Sequence, residues 1–145
     1  MLIGRFIHSL DAKGRLSIPA KLRKYIAADQ GDTIVMTKGV DKCIELYPLS
    51  EWQTLQVKLK SLEDFNPQDR RFVRTLLNIA SEDTMDAQSR ILIPQALLQY
   101  AQIETEVLIL GTLKTIELWN PKLFDEYMNS STESFEQIAT NVMKR

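Results

Sequence analysis

Apolar and polar residues alternate between positions 3 and 10. Phe6, His8 and Leu10 fall on one side of an extended chain and Arg5, Ile7 and Ser9 on the other. That period of two predicts a strand. Apolar groups occur on both sides, so part of this strand is expected to be buried on both faces. Asp11 to Gly14 reads as a turn, and Arg15 to Ile18 as a second short strand. Pro19 opens a short helix, where its fixed φ suits the first turn. Leu22, Tyr25 and Ile26 form the expected buried stripe of that helix, with Lys21, Arg23 and Lys24 facing outward. Gly31-Asp32 is a turn, the β-branched run Thr33 to Thr37 a strand, Lys38 to Asp41 another turn, and Lys42 to Tyr47 a further strand carrying Cys43. The order is β-β-α-β-β.

The same order returns later in the chain. A strand precedes Asp86, Ile91 to Ile93 form the next, Pro94 opens a helix, and Val107 to Leu110 and Thr115 to Trp119 complete the set. Between the two sets lie helical patterns of a different kind. Ser50 with Gln53 has the spacing of a capping box, followed by Trp52, Leu55, Leu59 and Leu62 at helical intervals. Asn66-Pro67 caps a second helix with Asp69 in its first turn. Phe72, Val73, Leu76, Leu77 and Ala80 form its apolar face, with Arg70, Arg71 and Arg74 to the side. Asn120-Pro121 starts a third helix carrying Leu123, Phe124, Tyr127 and Met128. The tail beyond is polar, with Phe135, Ile138 and Val142 at loosely helical spacing, and is expected to be a terminal helix or frayed.

The two β-β-α-β-β sets are copies of one another. Asp11-Ala12-Lys13-Gly14-Arg15-Leu16-Ser17-Ile18-Pro19 answers to Asp86-Ala87-Gln88-Ser89-Arg90-Ile91-Leu92-Ile93-Pro94, 75 positions on. Leu22 and Tyr25 answer to Leu97 and Tyr100, and Ile34-Val35-Met36 to Val107-Leu108-Ile109. Ile44-Glu45-Leu46-Tyr47 answers to Ile116-Glu117-Leu118-Trp119, where the offset has shrunk to 72. Five ordered landmarks identify an internal duplication. The chain divides into a first repeat (1–48), a linking helical pair (49–80), a second repeat (81–121) and a C-terminal helix and tail (122–145).

A unit of ~45 residues rarely buries enough surface to fold alone without metals, disulfides or a partner. Cys43 is the single cysteine, so no internal disulfide is possible, and no spacing suggests a metal or cofactor site. The two repeats therefore have to shelter each other, and the expected class is α+β, one interleaved pseudo-symmetric domain. No apolar run approaches the ~20 residues of a membrane span. The first residues lack an apolar core of signal-peptide length, and a lone cysteine fits a reducing compartment, so a cytoplasmic protein is expected.

The net charge of −1 argues at first against nucleic acid, but the charge is unevenly placed. Residues 1–25 hold Arg5, Lys13, Arg15, Lys21, Arg23 and Lys24 against Asp11 alone. Residues 81–121 hold Arg90 and Lys114 against Glu82, Asp83, Asp86, Glu104, Glu106 and Glu117. A basic face on one repeat is a candidate polyanion footprint. In both copies Asp and Arg four apart flank the turn. The carboxylate is expected to accept turn N–H groups and pair with the guanidinium, which makes Asp11, Asp86 and Arg90 structural. The first copy adds Lys13 and Gly14. Arg15 on a projecting turn can reach phosphates or the guanine edge in a major groove, and Gly14 permits close backbone approach.

The two Asp-Ala-x-x-Arg words, the Arg70-Arg71 helix, Pro48-Leu49-Ser50-Glu51-Trp52 and Ile116-Glu117-Leu118-Trp119 together resemble the MraZ family, bacterial transcriptional regulators of the division and cell-wall gene cluster. The resemblance covers nearly the whole chain. It implies an AbrB-like fold in which two units interlock as swapped hairpins into one small β-barrel with peripheral helices. It also implies binding of double-stranded DNA at direct repeats in the promoter of its own operon, association with the nucleoid, and a homo-oligomer closed into a ring of about eight subunits. The family's DNA contacts fall on Lys13 and Arg15, with Asp11 supporting the turn. Charge and position add Arg5, Lys21, Arg23 and Lys24. Gln88 and Ser89 depart from Lys-Gly, so DNA reading is not assigned to the second repeat.

Two other classes compete: an oligomeric protein-interaction module whose basic turn docks an acidic partner, and the DNA-binding antidote of a toxin–antitoxin pair. An enzyme is not expected. His8 is the only histidine, Cys43 sits in an apolar run, and no Gly-rich phosphate loop is present.

Overall fold

The computed structural model describes residues 1–28 and 31–145. The class is α+β. In chain order the elements are β1 (Leu2–Ser9), β2 (Arg15–Ser17), α1 (Ala20–Ala27), β3 (Thr33–Lys38), β4 (Ile44–Pro48), α2 (Leu49–Lys60), α3 (Pro67–Asn78), β5 (Ser81–Thr84), β6 (Arg90–Leu92), α4 (Gln95–Ala101), β7 (Glu106–Leu113), β8 (Ile116–Trp119), α5 (Pro121–Asn129) and α6 (Phe135–Met143). Among the described residues no helix is long and apolar enough to cross a membrane.

Six strands form one antiparallel sheet in the order β1-β7-β8-β4-β3-β5, and β2 pairs with β6 in a separate ribbon. Exchanging each strand for its repeat partner reproduces that order reversed, so the sheet has a pseudo-two-fold axis. Equivalent residues meet on it: Leu16 is the partner of Ile91 in the ribbon, and Glu45 the partner of Glu117 between β4 and β8. β1 pairs with β7, and β5 with β3, so each repeat supplies the outer strand of the other's half. The sheet is open by this strand order, with β1 and β5 as its edges.

The core is built from the same positions taken twice. Leu16 and Ile91, Ile18 and Ile93, Leu22 and Leu97, Met36 and Ile109, Ile44 and Ile116, and Leu46 and Leu118 all belong to one buried cluster. A smaller cluster of Cys43, Leu108, Trp119 and Phe124 lies on the outer face of the sheet, where α5 covers β7. There Trp119 meets Phe124 edge-on at 5.1 Å, and at equivalent positions Tyr47 meets Trp52 edge-on at 5.5 Å. The burial of the repeats against one another is the shelter that two ~45-residue units require.

Three local expectations are corrected. β1 is buried on one face only: Leu2 is buried, whereas Ile3 and Ile7 are 60% and 49% exposed. The strand is an edge, and on its outer face α5 meets Arg5 through Phe124 and Asp125. Tyr25 is exposed, because α1 buries the i, i+4 pair Leu22 and Ile26 and turns Tyr25 away under Lys24. The Ser50–Gln53 box does not start α2, since the helix begins at Leu49 with Pro48 in the N-cap position and Ser50 already inside the first turn. A capping box does form in the tail, where Ser134 and Gln137 cap α6 reciprocally and the loose periodicity becomes a regular helix. Asn66 and Asn120 cap α3 and α5 as their Asn-Pro pairs predict.

Candidate nucleic-acid interface

The two Asp-x-x-x-Arg turns have the same geometry. Asp11 Oδ1 accepts the backbone N–H groups of Lys13 and Arg15, each at 2.9 Å, and its Oδ2 accepts Arg15 Nε at 2.7 Å. Asp86 accepts the N–H groups of Gln88 and Arg90 at 2.9 Å and Arg90 Nε at 2.9 Å. Backbone bonds close each turn, from Gly14 N–H to Asp11 O and from Ser89 N–H to Asp86 O. The bend needs a left-handed residue at its fourth position: Gly14 has φ +82°, and Ser89 accepts φ +60°. The backbone N–H of Arg15 is the largest influence holding the Asp11 carboxyl below its ordinary pKa, with the guanidinium and the Lys13 N–H adding and partial desolvation opposing. Asp86 is depressed by the same set from Arg90 and Gln88. Each aspartate is thus a charged staple that fixes a turn and points an arginine.

The β2–β6 ribbon joins the two turns. Ile93 N–H donates to Gly14 O and Ile18 N–H to Ser89 O, so each turn is bonded to the strand leaving the other. With three residue pairs at about 3.4 Å each, the turns stand on the order of 10 Å apart. Leu16 and Ile91 point into the core, so Arg15 and Arg90 share the outer face with Ser17 and Leu92. Arg90 Nη1 reaches across to within 3.9 Å of Asp11 Oδ2. The guanidinium that the sequence marks as structural is therefore part of the same surface as Arg15.

The candidate residues separate into groups. Lys13 is exposed at the turn, and the Arg15 side chain is 30% exposed with its Nε engaged by Asp11. Lys21, Arg23 and Lys24 are exposed on α1. Lys24 lies near the Met1 amine, whose pKa is lowered by desolvation and then by Lys24, so it stands toward the far end of β1 from the turn. Arg5 is not gathered to the ribbon. It projects on the opposite face of β1, over the Phe124 ring at 5.6 Å and beside Asp125 at 3.9 Å. In the second repeat Leu98 and Gln99 of α4 replace Arg23 and Lys24, and Asp83 accepts Leu92 N–H where, in the first repeat, His8 Nδ1 contacts Ser17 O at 2.7 Å. The two ends of the ribbon share a shape and differ in charge.

Cys43, the single cysteine, is tied up in packing. Cys43 is buried and burial, with Glu117, Glu45 and Asp41 nearby, pushes its thiol up to about 12. That holds it as the neutral thiol, the inert form.

Comparison with known proteins agrees with the resemblance. The family model described as "MraZ protein, putative antitoxin-like" matches residues 1–75 and again 76–145. A protein named Transcriptional regulator MraZ in Thermoanaerobacter pseudethanolicus is 42% identical over 142 residues, covering 98% of this chain and 96% of the relative. Proteins of the same name in Halothermothrix orenii and Clostridium acetobutylicum are 42% and 41% identical, covering 96% and 92% of this chain and 94% and 91% of theirs. With both halves matched and full-length relatives near 40% identity, the chain belongs to the MraZ family.

Proposed function

We propose that this protein is a sequence-specific DNA-binding regulator of transcription that acts on the promoter of its own division and cell-wall gene cluster. The observation that carries the reading is the β2–β6 ribbon, with two carboxylate-stapled turns aiming Arg15 and Arg90 from one outer face and Lys13 exposed beside them. A major groove about 12 Å wide admits a two-stranded ribbon of this kind. On this reading Lys13 and Arg15 read or grip the DNA, Lys21 and Arg23 contact phosphates from α1, and Lys24 adds long-range charge. Arg90 contributes from the second repeat, and Arg5 serves the packing of α5. The family relatives named as transcriptional regulators support this assignment.

The crossed pairings, β1 with β7 and β5 with β3, support the swapped-hairpin arrangement of the two repeats as one DNA-binding unit. A single ribbon offers few phosphate contacts, so binding at direct repeats calls for several copies. A homo-oligomer closed into a ring of about eight subunits, formed by heterologous side-to-side contacts, would present identical turns at regular spacing. Linking the copies raises the effective concentration of each further contact, by ~100-fold or more when spacing fits. Such a protein would be found at the nucleoid.

The test is a titration of the protein and its Arg15→Ala variant against its own upstream promoter duplex and a scrambled duplex, at two salt concentrations. A promoter preference lost in the variant is the expected result. Equal binding to both duplexes that falls steeply with salt would reduce the protein to a nonspecific polyanion binder. No binding to either would return the protein-interaction reading.

A further inference from the structure

The β2–β6 ribbon is symmetric in shape and unsymmetric along its two edges. His8 Nδ1 lies 2.7 Å from Ser17 O on the β2 edge, and Asp83 Oδ2 accepts Leu92 N–H at 2.8 Å on the β6 edge. The two side chains occupy equivalent positions, 75 apart, and hold equivalent residues of the ribbon. Ser17 is the register partner of Arg90, and Leu92 of Arg15. His8, Ser17 and Arg90 therefore make one row across the ribbon, and Arg15, Leu92 and Asp83 the other. Beyond the ribbon the division continues: Lys21 is exposed in the first turn of α1, and Ala96 holds its place in α4. Arg15 and Arg90 are exchanged by the pseudo-two-fold axis, so they alone cannot tell one edge from the other.

A carbonyl oxygen only accepts, so His8 Nδ1 carries the proton in its contact with Ser17 O. The neutral ring then presents a lone pair at Nε2, which repels a phosphate oxygen, whereas a protonated Nε2 donates to it. Nε2 has no hydrogen-bond partner among the described residues, and no partnerless side-chain nitrogen there is buried, so Nε2 is open to solvent. A two-stranded ribbon in a major groove turns its two edges toward the two phosphate strands. At one edge such a strand meets an imidazole, and at the other a carboxylate.

We propose that His8 is a further DNA contact, taking up a proton from solvent on binding and donating from Nε2 to a phosphate beside the β2 edge, while Asp83 holds the β6 edge away from the opposite strand. The inference rests on the DNA-binding reading above and adds to it a residue and a polarity that the paired arginines do not supply. The charged groups on the elements packed against β1 are Arg15 of β2, Lys21, Arg23 and Lys24 of α1, and Glu106 of β7, the partner of Ser9. Arg90 faces His8 across Ser17. Most of these are cations, so the anion that balances an imidazolium at this place comes from the DNA.

The test titrates the parent, His8→Gln and Asp83→Asn against the promoter duplex and a scrambled duplex, at pH 6 and pH 8 and one salt concentration. Glutamine can still donate to Ser17 O and asparagine can still accept Leu92 N–H, and equal melting temperatures establish that both variants fold alike. The Met1 amine, lowered by desolvation and then by Lys24, also titrates in this range, so the readout is the difference between parent and His8→Gln. From pH 8 to pH 6 the parent should gain at least ~5-fold in promoter affinity over His8→Gln, within the limit of about tenfold per pH unit for one linked proton. Asp83→Asn should bind roughly threefold tighter at both pH values. In the parent, replacing phosphates one at a time by neutral methylphosphonates should reveal one position that abolishes the pH dependence, a readout that needs no variant to fold. A parent without promoter preference would overturn this inference together with the DNA-binding reading. A promoter preference with the same pH dependence in parent and His8→Gln would overturn this inference alone. A pH dependence that no single methylphosphonate removes would overturn the contact, and an Asp83→Asn variant that binds like the parent would overturn the polarity.

Discussion

Arg90 Nη1 of the second repeat stands 3.9 Å from Asp11 Oδ2 of the first, while its Nε donates to Asp86 at 2.9 Å. Asp11 thus faces two guanidinium groups, its own Arg15 and one from the other repeat. The contact is possible because the antiparallel β2–β6 register sets Ser17 opposite Arg90 and Arg15 opposite Leu92, so the two arginines flank the axis on one face. Both side chains are roughly 30% exposed, which keeps them available to a ligand.

Arg15→Ala should weaken promoter binding by ~1–3 kcal/mol, roughly 5- to 150-fold, if Arg15 makes a forked base contact. Arg90→Ala should weaken it less, because the second turn lacks the neighbouring lysine and carries Asp83 close by. Oligomer size should be unchanged for Arg15→Ala, and its melting temperature should fall only by the small amount that a partly exposed ion pair with Asp11 contributes. Equilibrium titrations of both variants on the same duplex give the ranking, and equal losses would make the two turns functionally equivalent.

Asp86→Ala should act mainly on stability. It removes the acceptor of two turn N–H groups and of Arg90 Nε together. The folded Asp86 carboxyl is depressed below its ordinary pKa, first by the Arg90 N–H. Its contribution is therefore present above the unfolded value of about 3.9 and is lost as pH falls through the folded value. The variant should melt below the parent at pH 7, with the difference closing in acid. A variant that melts like the parent and binds no DNA would contradict this and make Asp86 part of the interface.

Gly14 and Ser89 perform one task with unequal ease. A Cβ on Gly14 would meet Ile93 O at 3.6 Å and Leu92 Cδ1 at 3.9 Å, both ordinary contacts, so its left-handed φ is the constraint. Gly14→Ala should cost about 1–2 kcal/mol through that φ. Ser89→Gly should relieve the same strain in the second turn and raise stability by up to ~1 kcal/mol, with the added unfolded-chain entropy of glycine offsetting part of the gain. Denaturant titrations of the pair measure both signs.

These turns were the most legible part of the chain, because their chemistry is confined to a few consecutive residues and occurs twice. The strands, the helices and the paired core positions followed from local periodicity for the same reason. Arg5 was harder to place. A basic residue near a basic turn in sequence lies on the opposite face of a strand, and only the docking of α5 through Phe124 and Asp125 shows which face that is. Tyr25 and Ile7 fit a buried pattern that ends at an edge, and an edge is a property of strand order. The Ser50 spacing competed with Pro48, and the proline set the start of α2. Arg90 as a neighbour of Asp11 depends on pairing β2 with β6, across more than half the chain.

The pseudo-two-fold axis leaves one repulsive contact in the sheet. Glu45 and Glu117 are direct partners between β4 and β8. Each is held by an aromatic donor two residues on: Tyr47 Oη donates to Glu45 at 3.0 Å and Trp119 Nε1 to Glu117 at 2.9 Å. Glu45 also accepts Thr115 Oγ1 at 3.1 Å, so it is the better satisfied of the two. Burial raises the Glu117 pKa, with Glu45 and Asp41 adding and the Trp119 bond opposing. For an acid with a raised folded pKa, the favourable contribution is complete below the unfolded value of about 4.3 and is lost as pH rises through the folded value. Glu117→Gln keeps the carbonyl that accepts Trp119 Nε1 and removes the charge. It should therefore raise the melting temperature at pH 7, and that gain should shrink toward zero as pH falls to about 4. Thermal melts of parent and variant across this range provide the check. A variant less stable than the parent at pH 7 would mean that the charged form of Glu117 is favoured in the fold, with the Trp119 hydrogen bond outweighing burial and the facing Glu45.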